Sequence, residues 1–157
     1  MTREIPLTRG KVALIDDADY ERISLMKWSC GTDGYARHGI FRKGVRVNMT
    51  MQQVLMGNRR FHRVDHINGD KLDNRRCNLR WATHTENQRN VKHHTDAKSP
   101  YKGIFKSPSG RWIGQIWVTN RYLRLGSYDT PEQAALAYNA AALEHFGEFA
   151  RLNEVPQ

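Results

Sequence analysis

Cysteine is scarce in this sequence. The two cysteines, Cys30 and Cys77, lie far apart and form no C-x-x-C pair. Structural zinc sites need four nitrogen or sulfur ligands and usually contain closely spaced cysteines. We therefore expect no structural zinc. Two isolated thiols are also typical of a chain that stays in a reducing compartment.

Long hydrophobic runs are missing as well. No apolar stretch approaches the ~18 residues that a membrane-spanning helix needs. The first residues lead into sequence with structural signals and show no secretory signal peptide. We therefore expect a protein with no membrane partner.

Acidic residues are few relative to basic ones. The 157 residues contain 25 Lys and Arg against 16 Asp and Glu, for a formal charge of +9. Such a balance favours a polyanionic partner, most simply nucleic acid. The length is sufficient for one ordinary domain or for two or three small ones.

Polar and turn-forming residues are concentrated in one stretch, residues 63–90. Residues 63–66 and 79–82 alternate in polarity and predict two short strands. The loop between them contains the turn signals Asn-Gly at residues 68–69 and Asp-Asn at residues 73–74.

A helix is predicted directly after the second of these strands. Thr83 stands three residues before Glu86, which is the spacing of a helix capping box. The helix should run from about residue 84 to about residue 92. The predicted order is therefore strand, loop, strand, helix.

Four polar residues of this stretch suggest metal-assisted acid–base chemistry. His66 can take up a proton near neutral pH, because imidazole titrates at about 6.5. Asp65 offers a hard oxygen ligand suited to Mg²⁺. Asn87, one turn inside the helix, can offer a second oxygen, and Asn78 can brace the loop against the first strand. Asp65 and His66 can share a site only if the strand bends there, because neighbours in a strand point to opposite faces.

This arrangement resembles the HNH nuclease family, whose ββα-metal fold has the same order of elements. The matching residues are the pair Asp65-His66, then Asn78-Leu79, then Asn87 on the helix. The resemblance implies that His66 activates the attacking water and that Asp65 and Asn87 bind one divalent cation, Mg²⁺ or another such as Mn²⁺. It assigns Asn78 a structural role. Many members carry His where this chain has Asn87, and the Asn form is found in a branch of phage and intron homing endonucleases.

Other interpretations of these residues remain open at this stage. An Asp-His pair is more often a hydrogen-bonded surface pair than a catalytic one. His93 and His94 fall beyond the predicted helix, in a stretch without apolar period that ends in Ser-Pro and predicts a linker over residues 93–100.

Residues 1–62 predict a mixed α+β segment that resembles the part preceding the HNH motif in many phage endonucleases. A strand is expected at residues 11–15, a short helix follows, and residues 49–56 predict a second helix that ends at Gly57. Hairpin arms are predicted at residues 34–37 and 45–48. Four cations on this hairpin are candidate DNA contacts, with a merely solvated hairpin as the alternative. They are Arg37, Arg42, Lys43 and Arg46.

Residues 101–157 predict a three-stranded antiparallel sheet packed on one helix. Residues 111–119 alternate clearly, and Thr130-Pro131 with Gln133 predicts a helix start. Residues 99–128 contain basic but no acidic residues, whereas residues 129–157 are mostly acidic among their charges. A sheet with one basic, aromatic face can place its strands in a DNA groove.

This part resembles the DNA-binding domain of plant ethylene-response (Apetala-type) factors. The matching segments are residues 101–104, 110–112, 125–128, 134–139 and 152–153. The resemblance implies that the sheet reads the major groove, although the plant base specificity should not carry over. By position and charge the DNA-facing candidates are Lys102, Lys106, Ser107, Arg111, Gln115, Trp117, Tyr122 and Arg124. The alternative is that Ile113, Trp117 and Tyr122 pack on the N-terminal segment or on a second subunit.

The sequence thus predicts an α+β chain with an N-terminal segment at residues 1–62, an HNH core at 63–92, a linker at 93–100 and an Apetala-type domain at 101–157. The expected function is Mg²⁺-dependent cleavage of double-stranded DNA, as nicking by a monomer, with a dimer left open and no small-molecule cofactor. A non-cleaving DNA-binding regulator is the alternative, and an RNA-binding accessory protein is a weaker one. The resemblance to phage enzymes implies the cytoplasm of a bacterial host.

Overall fold

The computed structural model describes residues 1–91 and 99–156. The chain has a mixed α+β fold of several small sheets and few helices, which confirms the predicted fold class. It divides into two compact units, Met1–His84 and Thr85–Gln157. Within the described residues, no helix has the length and apolar character needed to cross a membrane.

The first unit contains three antiparallel sheets and two short helices. Two strands, β1 and β2, pair at the N-terminus, β3, β4 and β5 form the second sheet, and β6 pairs with β7. The bounds are β1 Thr2–Pro6, β2 Val12–Asp16, α1 Asp17–Ser24, β3 Ser29–Cys30, β4 Ala36–Arg42, β5 Val45–Thr50, α2 Met51–Met56, β6 Arg63–His66 and β7 Leu79–Ala82.

A single apolar cluster holds these elements together. Ile15 of β2, Ile23 of α1 and Met51 of α2 are fully buried in it. Trp28 joins the cluster, and its indole Nε1 donates a hydrogen bond to the carbonyl oxygen of Ile23 at 2.8 Å. Leu79 of β7 is buried in the same cluster, so the strand that ends the polar loop is supported by the N-terminal elements.

The hairpin of β4 and β5 turns through two residues with positive φ, Lys43 at 51° and Gly44 at 78°. Arg42 pairs with Val45 across this turn. A two-residue turn with both φ values positive matches the twist of the two strands. Residues 41–48 are all exposed, so the end of the hairpin extends into solvent.

A short helix, α3, spans His84–Arg89, and the second unit continues with β8 Ile104–Lys106, β9 Trp112–Val118, β10 Arg121–Tyr128 and α4 Pro131–Phe146. The sheet order is β10-β9-β8, with antiparallel neighbours. The helix α4 begins with a full capping box at Thr130 and Gln133, as its sequence predicts. Its alanines and Tyr138 pack against Ile104 and Ile116 of the sheet.

Several element bounds differ from the sequence expectations. The N-terminal strand β1 was not predicted. The sequence predicts a strand over residues 101–106, but β8 begins only at Ile104 because the preceding residues form a turn. The helix α3 ends at Arg89 rather than near residue 92. The predicted boundaries of the four segments stay predictions, and most of the predicted linker, with His93 and His94, lies outside the described residues.

Candidate active site

Asp65 and His66 are the last two residues of β6, where the strand enters the polar loop. Both side chains are buried, with 6% and 4% of their surface exposed. Across the sheet Asp65 lies opposite Arg80 and His66 opposite Leu79. A carboxylate and an imidazole are costly to bury unless they are hydrogen-bonded or paired. Their partners therefore define what this pair can do.

Arg80 is the partner of Asp65. Its Nε and Nη2 atoms lie 3.0 and 2.9 Å from Oδ2 of Asp65. Both side chains of this ion pair are about nine-tenths buried. Because neighbouring strands place directly opposed side chains on one face, the pairing of β6 with β7 brings these two charges together.

His66 is held by Asn74 from the polar loop. Nε2 of His66 lies 3.2 Å from Oδ1 of Asn74, so in this arrangement Nε2 donates. A neutral imidazole that donates through Nε2 has its lone pair at Nδ1. Burial lowers the pKa of His66 below 6.5, although Asn74 and the charge of Asp65 act in the opposite direction. The imidazole is therefore neutral at pH 7, with a nitrogen that can accept a proton.

Asn78 connects the two ends of the loop between β6 and β7. Its Oδ1 accepts a hydrogen bond from the backbone N–H of Asn68 at 2.9 Å. Its Nδ2 donates to the carbonyl oxygen of Asp73 at 2.7 Å and to Oδ1 of Asn68 at 3.0 Å. One amide side chain thus satisfies three groups of the loop. This network holds the loop that carries Asn74 against His66.

The N-terminal hairpin of β1 and β2 also supports the loop between β6 and β7. Leu14 of β2 donates its N–H to the carbonyl oxygen of Leu72 and accepts from the N–H of Asn74, each at 2.8 Å. Arg76 extends this connection, because its guanidinium is bonded to both carboxylate oxygens of Asp19 at 2.8 and 2.9 Å. The position of Asn74 therefore depends on residues from the first 20 of the chain.

Asn87 lies on α3 and is half-buried. It belongs to the second compact unit, whereas Asp65, His66 and Asn78 belong to the first. The structure thus brings three of the four predicted site residues together in one unit. The predicted joining of Asn87 with Asp65 around one cation stays a prediction.

The cations of the β4–β5 hairpin occupy two different settings. Arg42, Lys43 and Arg46 are exposed near its tip. Arg37, at the base of β4, is ion-paired with the carboxylate of Asp33. The tip cations are therefore better placed to meet an external phosphate than Arg37.

One face of the C-terminal sheet carries most of the predicted contact residues. The register places Gln115 opposite Arg124 and Trp117 opposite Tyr122, all on the face away from α4. Trp117 is 51% and Tyr122 65% exposed. Their ring centroids lie 4.6 Å apart in an edge arrangement. Exposed aromatic rings beside cations form a surface that suits nucleic acid.

The remaining predicted contacts lie elsewhere in the second unit. Lys106 is exposed, with its Nζ 5.6 Å from the ring centroid of Trp112. Arg111 is bonded to Asp129 at 2.5 Å and to Ser127 Oγ at 3.0 Å. Ser107 donates to the carbonyl oxygen of Arg111 at 2.9 Å within its turn. Lys102 is turned inward and bonded to backbone carbonyls, so its predicted DNA contact stays a prediction.

Two residues of the site were not singled out from the sequence. Arg80 could have been found from the strand register, because the two predicted strands place it opposite Asp65. Asn74 was noted only as part of a turn signal, and nothing in the sequence indicated that its amide would reach His66.

Comparison with known proteins gives a family for the segment that contains this site. A family model described as HNH endonuclease matches residues 61–89. The chain is 36% identical over 92 residues to an uncharacterized HNH endonuclease, L560, of Acanthamoeba polyphaga mimivirus. The aligned region covers 59% of this chain and 47% of that protein. Residues 61–89 are therefore similar to HNH endonucleases, which confirms the predicted resemblance.

Plant transcription factors are similar to the other part of the chain. Identity is 42% over 60 residues with dehydration-responsive element-binding protein 2D of Arabidopsis thaliana, covering 37% of this chain and 29% of that one. It is 48% over 56 residues with the ethylene-responsive transcription factor ERF010 of the same plant, covering 34% and 30%. These similarities support the predicted C-terminal resemblance. The chain spans less than half the length of each of these three relatives.

Among solved structures, the HNH homing endonuclease I-HmuI matches with a TM-score of 0.38 at 22% identity. The match covers 77% of this chain and 75% of that one.

Proposed function

We propose that this chain is a divalent-metal-dependent DNA endonuclease of the HNH homing type that hydrolyses a phosphodiester bond. One observation carries the proposal: the buried Asp65-His66 pair at the end of β6, inside the segment that matches the HNH family. Two ionisable side chains buried side by side need a reason, because burial of such groups costs stability. Catalysis gives that reason.

His66 is the proposed general base. Its Nε2 donates to Asn74, which holds the ring in one orientation and leaves the lone pair of the neutral ring at Nδ1. That nitrogen takes the proton from the attacking water as the water adds to phosphorus. Because burial keeps the pKa of His66 below 6.5, the base is in its unprotonated form at pH 7.

Asp65 and Asn87 are the proposed metal ligands. A carboxylate and an amide offer hard oxygen atoms, the donor type that Mg²⁺ and Mn²⁺ prefer, so the donor set fits the metal. When bound, such a cation would stabilise the charge that develops on the phosphate oxygens. Arg80 forms an ion pair with Asp65 and limits the rotation of its carboxylate. Asn78 braces the loop that carries Asn74.

The C-terminal sheet is the proposed aid to target choice. Trp117 and Tyr122 give an exposed aromatic pair, and Gln115 and Arg124 can hydrogen-bond to base edges or phosphates. The exposed tip of the β4–β5 hairpin gives a second cationic surface. Double-stranded DNA is therefore the proposed substrate, cut in the cytoplasm of a host cell by a monomer.

A plasmid assay tests the proposal. Supercoiled plasmid is incubated with protein and Mg²⁺, with Mn²⁺, or with a chelator, and cleavage is expected only with metal. His66→Ala should lower the cleavage rate by about 10²–10⁴-fold, because a general base is removed. His62→Ala is the matched control, since it makes the same change within the same segment at a half-buried ring whose Nδ1 lies 2.9 Å from the carbonyl oxygen of Arg60. Cleavage by His66→Ala at the wild-type rate would overturn the mechanism.

A non-cleaving DNA-binding regulator is the second candidate. It is favoured by the exposed Trp117 and Tyr122, which lie in the part of the chain that is similar in sequence to plant transcription factors. The same assay separates the two functions. A wild-type protein that shifts DNA in a binding assay but leaves every plasmid intact with Mg²⁺ and Mn²⁺ would support the regulator.

A further inference from the structure

Lys102 has an unusual environment for a lysine beside a DNA-binding sheet. Its Nζ donates to the carbonyl oxygen of Arg89 at 2.6 Å and to that of Val91 at 2.9 Å. Arg89 is the last residue of α3, and Val91 follows shortly after. The final carbonyls of a helix have no partner within the helix, and a cation there is favourable. The lysine therefore supplies the bonds that end α3.

The backbone of Lys102 is itself held in place. Its N–H donates to Oδ1 of Asn153 at 2.7 Å, and its carbonyl oxygen accepts from Nδ2 of Asn153 at 3.2 Å. Asn153 is bonded in turn to Asn139 of α4, whose side-chain oxygen accepts from the Asn153 N–H at 2.7 Å. A continuous series of hydrogen bonds thus runs from α4 through Lys102 to the end of α3.

A second contact joins the same two helices. The guanidinium carbon of Arg89 lies 4.7 Å from the ring centroid of Phe146, at the end of α4. A cation over an aromatic face at this distance is attractive. The end of α3 is therefore attached to the C-terminal fold at two points.

The charge state of Lys102 agrees with an internal role. Burial lowers the pKa of its ammonium to about 8, and the neighbouring positive charge of Arg151 acts in the same direction. An exposed lysine that waits for a phosphate has no such cost of desolvation. The inward position thus comes at a cost that the two carbonyl bonds offset.

We propose that Lys102 is a positioning residue for the catalytic centre. Its ammonium fastens the end of α3 to the C-terminal fold, so that the domain that binds DNA also sets the orientation of the helix that carries Asn87. The inference rests on the proposed function, because it gives Asn87 the role of a metal ligand. It assigns the C-terminal domain a part in catalysis besides target choice.

The test compares Lys102→Met with Lys106→Met in the full chain. Methionine keeps most of the apolar stem and removes the charge and the donors. Lys106 is the matched control, because it is an exposed lysine at the end of β8, close to Lys102 in the sequence, and is a candidate phosphate contact. Two properties are measured in a chelator, the amide hydrogen exchange of residues 86–91 and the dependence of DNA affinity on salt. Neither needs metal or cleavage.

Lys102→Met should speed exchange at the end of α3 and leave the salt slope unchanged. Lys106→Met should leave exchange at the end of α3 unchanged. It should lower the slope of log DNA affinity against log salt by about 0.9 if it removes one phosphate contact. With Mg²⁺ present, Lys102→Met should also raise the metal concentration for half-maximal cleavage by up to about tenfold, as loss of support for a ligand does. A lower salt slope with unchanged exchange in Lys102→Met would make Lys102 a phosphate contact and overturn the inference.

Lys102→Gln decides the matter if Lys102→Met does not fold. It keeps a polar side chain, but its neutral amide is shorter than the lysine that bonds the carbonyl oxygens of Arg89 and Val91, so it should also speed exchange at the end of α3. Unchanged exchange in this variant would then overturn the inference. A wild-type protein that cleaves no DNA would refute the proposed function but not the attachment of α3, since exchange would still respond to Lys102→Met.

Discussion

Arg80 donates two hydrogen bonds to a single oxygen of Asp65, from Nε at 3.0 Å and from Nη2 at 2.9 Å. This buried ion pair connects β6 to β7 at the point where the proposed catalytic residues begin. It affects both the stability of the small sheet and the charge that a metal ion would meet.

Arg80→Met should therefore destabilise the first unit strongly. Removal of one partner leaves a buried carboxylate without its counter-charge, which costs about 3–5 kcal/mol. Urea unfolding followed by circular dichroism measures the loss of stability. Arg63→Met is the control, because Arg63 is exposed on the same strand and its replacement should change stability by no more than about 0.5 kcal/mol. The double variant Asp65→Asn with Arg80→Met should recover part of the stability, since both charges are then absent.

The same ion pair predicts weak metal binding in the absence of DNA. Asp65 is the only carboxylate among the proposed ligands, and the charge of Arg80 already neutralises it. Mg²⁺ usually relies on substrate phosphates when the protein offers few carboxylates. Calorimetry should show little Mg²⁺ binding to the free protein and clear binding to the complex with DNA, both weakened in Asp65→Ala and Asn87→Ala. Tight binding to the free protein would contradict the proposed ligand set.

Alternation and turn residues were sufficient to predict most elements of this fold. The strands β6, β7 and β9 and the helices α1 and α4 fall where the sequence indicates. The strand β1 could not be predicted, because its five residues include a proline and few apolar side chains. It is a strand through its pairing with β2, which is a long-range property.

Only part of the candidate site could be predicted from the sequence. Asp65 and His66 were found by their motif, but the support from Leu14 and Asp19 crosses about 60 residues and leaves no local signal. Lys102 was predicted to face DNA from its charge and from its matching position in the plant ethylene-response family. It lies in a turn before β8, where the positive φ of Gly103 (75°) redirects the chain.

The cations at the tip of the β4–β5 hairpin should contribute to DNA binding through phosphates. Changing Arg42, Lys43 and Arg46 together to Gln should lower the slope of log affinity against log salt by about 0.9 for each phosphate that the variant no longer binds. Arg37→Gln is the comparison, since Arg37 is already paired with Asp33 and should change the slope less. The DNA affinity of each variant, measured over a series of salt concentrations, gives these slopes. An unchanged slope in the triple variant would show that the hairpin is merely solvated.

Asp19 should make the first unit sensitive to acid. The hydrogen bonds from Arg76 lower the pKa of this buried carboxyl below its ordinary 3.8, more than desolvation raises it. Because the folded-state pKa is the lower one, the stabilisation is complete above pH 3.8 and is lost as pH falls through the folded value. Asp19→Asn should cost roughly 1 kcal/mol at pH 7, since Arg76 is half exposed, and should flatten the decline of stability in acid. Asp17→Asn, at an exposed ion pair, should leave that decline unchanged.

The chain should nick one DNA strand at a time. Its sequence contains a single Asp-His pair, so a monomer offers one base and one proposed metal site. One such site holds one scissile phosphate, and the two strands of a duplex run antiparallel. Cutting both strands together needs a second chain related by a two-fold axis. On supercoiled plasmid, open circles should therefore accumulate before any linear product, at a rate proportional to protein concentration. Linear product without that intermediate, formed at a rate that rises with the square of protein concentration, would instead indicate a dimer.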